Sequence, residues 1–214
     1  MKILAVSTSS NNCSVALLED DNIIKELNIC NEKTHSEKFM PLIDELLSET
    51  KTSLSDINLI SVDNGPGSFT GIRIGIATIK AIAEFKNIPV VACSSLEALA
   101  YNVADADYIC SIIDARNNQV YAGIFDKNYD LISDYFADDF NNLIPIFKKY
   151  PNIVFVGNGS HLLNVSENYE DTIHSANIGL CGYKKYLNGL SINADNLSVM
   201  YLRPSQAERL KKNG

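Results

Sequence analysis

The sequence predicts an α/β protein of two lobes, each a mixed β-sheet flanked by helices. Two observations predict it. Short polar turns separate apolar runs at the start of each half, which reads as antiparallel hairpins. Each half then continues helix, strand, glycine-rich loop, helix, the pattern that adds parallel strands to a sheet. The chain has 214 residues, 46% of them apolar and 21% charged, so it can bury a substantial core.

The first half begins with a strand at Lys2–Val6, whose apolar run is too short for a signal peptide. A turn of Ser, Thr and Asn at 7–12 leads to strand Cys13–Glu19, and Asp20–Asn22 turns into strand Ile23–Cys30. Thr34 and Glu37 have capping-box spacing ahead of a helix with Phe39, Leu42, Ile43, Leu46 and Leu47 on one face. Strand Asn58–Val62 precedes the run Gly65-Pro66-Gly67-Ser68-Phe69-Thr70-Gly71, a helix to about Phe85, strand Ile88–Cys93 and a helix from Ser95. The second half reads as strands Tyr108–Asp114, Gln119–Phe125 and Asp130–Phe136 and a helix near 139–150. Strand Asn152–Val156 follows, then Gly157-Asn158-Gly159-Ser160 at a helix start. The lobes are predicted as 1–104 and 105–214, the second ending in a basic helix. Two such units in tandem resemble actin-like ATPases and sugar kinases (the ASKHA, ribonuclease H-like arrangement), where a nucleotide sits between the lobes.

A net charge of −8 argues against a stand-alone nucleic-acid binder. The tail reverses the sign, with Arg203, Arg209, Lys211 and Lys212 outnumbering Glu208. Five cysteines without C-x-x-C spacing indicate neither a disulfide framework nor a zinc site, so they read as small core residues in a cytoplasmic chain. No window approaches a membrane span. His35, His161 and His174 lack H-x-x-x-H spacing, so no metal site is expected. No Ser/His/Asp or Cys/His nucleophile stands out, and no catalytic residue is assigned.

The glycine loop joins a strand to a helix, where free N–H groups and the helix dipole favour an anion. Gly65, Gly67, Ser68, Thr70 and Gly71 are therefore phosphate-loop candidates, joined by Asp114 at the end of the second lobe's first strand. The loop lacks Gly-Lys-Ser/Thr, so it is not a Walker A loop. On glycines alone, a tight turn with close helix packing is the simpler reading. The following helix is apolar almost all round, and Met40 lies off the main stripe of the earlier helix. Such helices are covered on two sides, by their own chain or by a partner.

The run Gly65–Gly75 resembles the signature of the TsaB (YeaZ) family. Ile3-Leu4-Ala5-Val6, Cys13–Leu17, Ile113-Asp114-Ala115-Arg116, Val120-Tyr121 and Tyr201-Leu202-Arg203 agree in order along the chain. The resemblance implies a non-catalytic subunit in synthesis of tRNA threonylcarbamoyladenosine, binding and activating its catalytic, metal-holding paralogue TsaD. A small ATPase, TsaE, joins the assembly, and tRNA contact is indirect. ATP or ADP binding is implied only at the partner interface. The implied interface is Phe39, Met40, Ile43, Leu47, Ile72, Ile76, Ile79 and Ala83, which also serves a homodimer when the chain is alone. TsaD-like chains carry metal-binding histidines where this sequence has Ser95 and Leu99. Ser7 stands where actin-like relatives keep a metal-facing acid, which weakens an ATPase or kinase reading. A glycoprotease-type metallopeptidase is a further alternative, opposed by the histidine census.

Overall fold

The computed structural model describes residues 1–30, 35–163 and 169–203. The first sheet has five strands. β1 (Lys2–Ser7), β2 (Asn12–Glu19) and β3 (Asn22–Cys30) form an antiparallel meander, and β4 (Leu59–Asp63) and β5 (Val90–Cys93) extend it in parallel, in the order β3-β2-β1-β4-β5. α1 (His35–Glu49) connects β3 to β4, and α2 (Phe69–Lys86) connects β4 to β5. The second sheet is built from β6 (Tyr108–Asp114), β7 (Gln119–Asp126), β8 (Phe136–Asp139) and β9 (Val154–Val156), in the order β8-β7-β6-β9. Its β6–β9 pair is parallel and the rest antiparallel, repeating the first sheet without a fifth strand. This is the α/β, ASKHA-like arrangement of two mixed sheets flanked by helices.

Strand alternation sorts the core into layers. Leu4 and Val6 of β1 face α1 and α2, with Val15, Leu17, Ile60 and Val62. Ile3 and Ala5 face the other way, into a central core shared with α3 (Ser95–Ala100), the second sheet and α5 (Ser175–Leu187). The far side of the second sheet is closed by α4 (Phe140–Phe147), through Phe140, Leu143 and Phe147. The layers run α1/α2, first sheet, α3/α5, second sheet, α4. All five cysteines are free and all but Cys30 are buried.

α5 comes from the second half of the chain yet packs on β1, β2 and β4 of the first sheet. Small residues permit this approach: a Cβ on Gly182 would overlap the Ser61 hydroxyl. Its N-terminus is tied to the sheet edge by Glu26 of β3. That carboxylate accepts from the Ala176 amide at 2.9 Å, the Ser175 hydroxyl at 2.9 Å and His174 Nδ1 at 3.0 Å. Burial alone would raise the Glu26 carboxyl, but these bonds together hold it below its ordinary value.

The sequence expectations depart from this fold in three places. The third strand of the second half is β8, not Asp130–Phe136. Asp126 accepts the amides of Asn128 and Asp130 in a turn, and Ser133 Oγ takes the Ile124 amide, so the ladder starts only at Phe136. The loop at Gly157–Ser160 opens a 3₁₀ turn, Ser160–Leu163, rather than a long helix. The helix expected near 139–150 is α4, which starts on an Asp139 cap accepting from the Asn141 amide at 3.0 Å. α5 has no counterpart in the sequence reading, because its buried face is Ser175, Ala176, Ile178, Gly179, Cys181 and Gly182, mostly small residues rather than a leucine stripe. Thr34 and the basic tail beyond Arg203 lie outside the described residues.

Candidate functional site

The glycine loop hangs from one buried carboxylate. Asp63 ends β4 and is 1% exposed. It accepts hydrogen bonds from Ser7 Oγ at 2.7 Å, Ser9 Oγ at 2.5 Å, Ser95 Oγ at 2.6 Å and the Gly65 amide at 2.9 Å. Four donors from four segments thus converge on one side chain. Burial pushes the Asp63 carboxyl up, and the four bonds oppose that rise. Ser7, at the position of the missing acid, is a donor to Asp63.

Beyond Asp63 the loop is clamped onto the β1–β2 turn. The Ser68 amide donates to the Ser9 carbonyl at 2.7 Å, and Thr8 Oγ1 donates to the Gly71 carbonyl at 2.8 Å. Gly65 has φ +106°, a region side chains avoid, and a Cβ on Gly67 would overlap the Ser9 carbonyl oxygen. Ser68 caps α2 by accepting from the Gly71 amide at 3.3 Å. Of the loop candidates, the amides of Gly65, Ser68 and Gly71 are therefore engaged within the chain.

A cleft of about 700 Å³ separates the lobes. It brings Gly67 and Ser68 opposite Asp114, with Arg116, Asn158 and Asp171 on the far wall. Gly65, Thr70 and Gly71 do not line it. Asp114 Oδ1 accepts from the Arg116 amide at 2.7 Å, and its own amide donates to Asn158 Oδ1 at 2.9 Å, so the carboxylate braces its own turn. The residue that sequence reasoning missed is Asp63. Its signal was an acid closing the buried strand Leu59–Asp63, directly before the glycines.

Phe39, Ile43, Ile72, Ile76, Ile79 and Ala83 are core residues of this chain, each at most 6% exposed. They hold α1 and α2 onto the first sheet. A partner surface on these helices therefore lies elsewhere, which corrects the assignment of those six positions. Met40 is 42% exposed and Leu47 half-buried. The outward side of α2 carries Ile74, Ala77 and Ala81 and ends at Phe85, which is 83% exposed. Ser95 and Leu99 are both buried, the first on Asp63 and the second in the central core.

Comparison with known proteins identifies this architecture. The sequence model of TsaD, tRNA N6-adenosine threonylcarbamoyltransferase, matches residues 29–179. The chain belongs to the TsaD family. Within it, the resemblance is to TsaB. The Bacillus subtilis tRNA threonylcarbamoyladenosine biosynthesis protein TsaB is 40% identical over 139 residues, 64% of this chain and 61% of its own. The Escherichia coli protein of the same name is 36% identical over 124 residues, 56% of this chain and 53% of its own. The chain thus spans between half and two thirds of these relatives' length. A Pseudomonas aeruginosa crystal structure described as similar to peptidase YeaZ superposes with a TM-score of 0.83. It is 26% identical, and the match covers 94% of this chain and 99% of that one. A second, YeaZ from the same organism, gives 0.80 at 25% identity with the same coverage. Among the described residues, no helix is long and apolar enough to cross a membrane.

Proposed function

We propose that this chain is the non-catalytic subunit of an assembly that makes tRNA threonylcarbamoyladenosine. It binds and activates a TsaD-like catalytic paralogue, which a TsaE-like ATPase joins. The observation that carries the reading is the outward strip of α2. Ile74, Ala77 and Ala81 form an uncharged row ending at the exposed Phe85, and the neighbouring α1 carries the exposed Met40. Small side chains let a facing helix approach to about 8–10 Å. An exposed apolar row on a helix already buried along its other side is what a partner helix covers. In isolation the same strip serves a second copy of the chain.

Two further observations support the non-catalytic half. Ser95 and Leu99 stand where the catalytic paralogue has metal-binding histidines, and both side chains are engaged inside this chain. Ser7, in the place of a metal-facing acid, donates to Asp63.

The test uses Ala77→Glu and Ala81→Glu, both at exposed positions. Each variant keeps its fold, fails to co-purify with the paralogue and lowers the modified nucleoside in cells. Normal pairing by both variants overturns the reading. Ile76→Glu and Ile79→Glu do not serve, because a buried carboxylate there unfolds the chain whatever the partner.

A further inference from the structure

Two sequence signatures that the proposed function leaves unused meet in space. Arg73 belongs to the Gly65–Gly75 run and Tyr201 to Tyr201-Leu202-Arg203. Arg73 Nε donates to the Tyr201 hydroxyl at 2.9 Å. The Phe69 and Tyr201 rings stack at 5.5 Å with 21° between their planes. The Arg73 guanidinium lies 6.0 Å from one ring centre and 5.7 Å from the other. Next to them Arg203 lies 5.8 Å over Tyr121. Phe69, Tyr121, Tyr201 and Arg203 rim one shallow groove, with no acid in its lining among the described residues. Phe69 and Tyr121 continue into the cleft wall that carries the exposed Arg116.

The sequence has four arginines, and three of them, Arg73, Arg116 and Arg203, fall on this one face. Lys25, Lys184 and Lys185 all sit on carboxylates within 4 Å. Among the described residues, no arginine does. Arg73 meets a phenol and Arg203 the Ala137 carbonyl, both through Nε. The two guanidinia set against ring faces, Arg73 and Arg203, suit a ligand that is both polyanionic and flat. Single-stranded RNA has that chemistry: phosphates for the forks and unstacked bases for the rings.

We infer that the face formed by Phe69, Arg73, Tyr201 and Arg203, continued by Arg116, binds single-stranded RNA directly. This deepens the reading of a tRNA-modification subunit and rests on it only for choosing RNA over other polyanions. It gives the chain an RNA contact of its own in spite of a net charge of −8. Tyr201 is 50% exposed, leaving room for a base to stack.

The test is fluorescence anisotropy of the full chain with a labelled single-stranded RNA of about twelve nucleotides, at about 50 mM salt. A duplex of the same sequence and polyglutamate serve as competitors. The wild-type chain binds the single strand, and both competitors displace it poorly. Tyr201→Leu keeps apolar volume but loses the ring, and it weakens binding about tenfold. Arg73→Lys keeps the charge but not the plane, and it also weakens binding. Arg203→Ala lowers the salt slope by about 0.7, one phosphate contact on a single strand. Thr70→Glu guards against mere unfolding. It adds a carboxylate at an exposed position beside Arg73, in the first turn of α2 where an acid favours the helix. It melts like wild type yet loses RNA.

No binding by the wild-type chain overturns the inference, as does equal binding by Tyr201→Leu and Thr70→Glu, or displacement by polyglutamate as effective as by RNA. Pairing with the paralogue is measured on the same variants. A chain that pairs but ignores RNA defeats only this inference. A chain that binds RNA but does not pair defeats only the proposed function.

Discussion

Replacing Asp63 by alanine tests whether one carboxylate holds the glycine loop. The substitution leaves the hydroxyls of Ser7, Ser9 and Ser95 and the Gly65 amide without their acceptor, all of them buried. Each unpaired buried donor costs about 1–3 kcal/mol. Part of this is recovered, because Ser9 Oγ lies 3.4 Å from Ser7 Oγ and 3.1 Å from Ser95 Oγ, close enough to bond each other. The expected net loss is about 3–5 kcal/mol, a large share of the roughly 5–15 kcal/mol that holds a domain together. Asp63→Asn loses less, about 1–2 kcal/mol. Its carbonyl still accepts from Ser95 and Gly65, and its amide group donates to hydroxyls that also accept. The sign with pH follows from the raised carboxyl. A group whose folded value lies above its ordinary 3.8 contributes stability below that pH and loses it as pH rises through the folded value. Asparagine does not titrate, so the gap between wild type and Asp63→Asn narrows as pH rises. Urea unfolding followed by far-ultraviolet circular dichroism measures all three proteins. An alanine variant within about 1 kcal/mol of wild type, or an asparagine variant as damaged as alanine, refutes the reasoning.

The remaining predictions concern α5. Gly182→Ala forces a methyl into the Ser61 hydroxyl and is expected to cost about 2–3 kcal/mol in urea midpoint measurements. The Glu26–His174 contact sets a pH window. The Glu26 bond raises His174 above its ordinary 6.5, so its contribution is complete below that pH and lost as pH climbs through the folded value. Glu26 is lowered from 4.5, so its contribution disappears as pH falls below that value. Stability measured from pH 3 to 9 is expected to be greatest between about 4.5 and 6.5 from this pair, and His174→Gln removes the descending limb on the alkaline side.

Most strands and the helices α1 and α2 were legible because period-two and helical patterns survive wherever one face is buried by large aliphatics. Leu4 and Val6 alternating with Ile3 and Ala5 is such a case. What escaped was held by polar or small groups. α5 docks mostly with small residues around a single isoleucine, Ile178, and β8 starts late because a serine hydroxyl takes a ladder amide. The helices α1 and α2 were found, but their outward face was not. Ile72, Ile76 and Ile79 against Ala77 and Ala81 differ in size rather than polarity. Periodicity finds an apolar face but does not distinguish the one turned to the sheet from the one left for a neighbour. Asp63 was hidden for a related reason: a single acid in a strand has no spacing partner, and its meaning comes from three serines brought to it by folding.

The crossing of α5 also sets a timetable for synthesis. Once β5 has been made, the first sheet has all its strands, but the helix that covers much of its inner face is still about 80 residues away. At about 5–20 residues per second, that face waits roughly 4–16 seconds on the ribosome. Ile3, Ala16 and Leu18 stay bare during that wait. A nascent chain stalled between residues 100 and 175 is therefore an open apolar sheet, the species a holding chaperone should bind most tightly. Release of α5 from the exit tunnel is the moment that hold is lost.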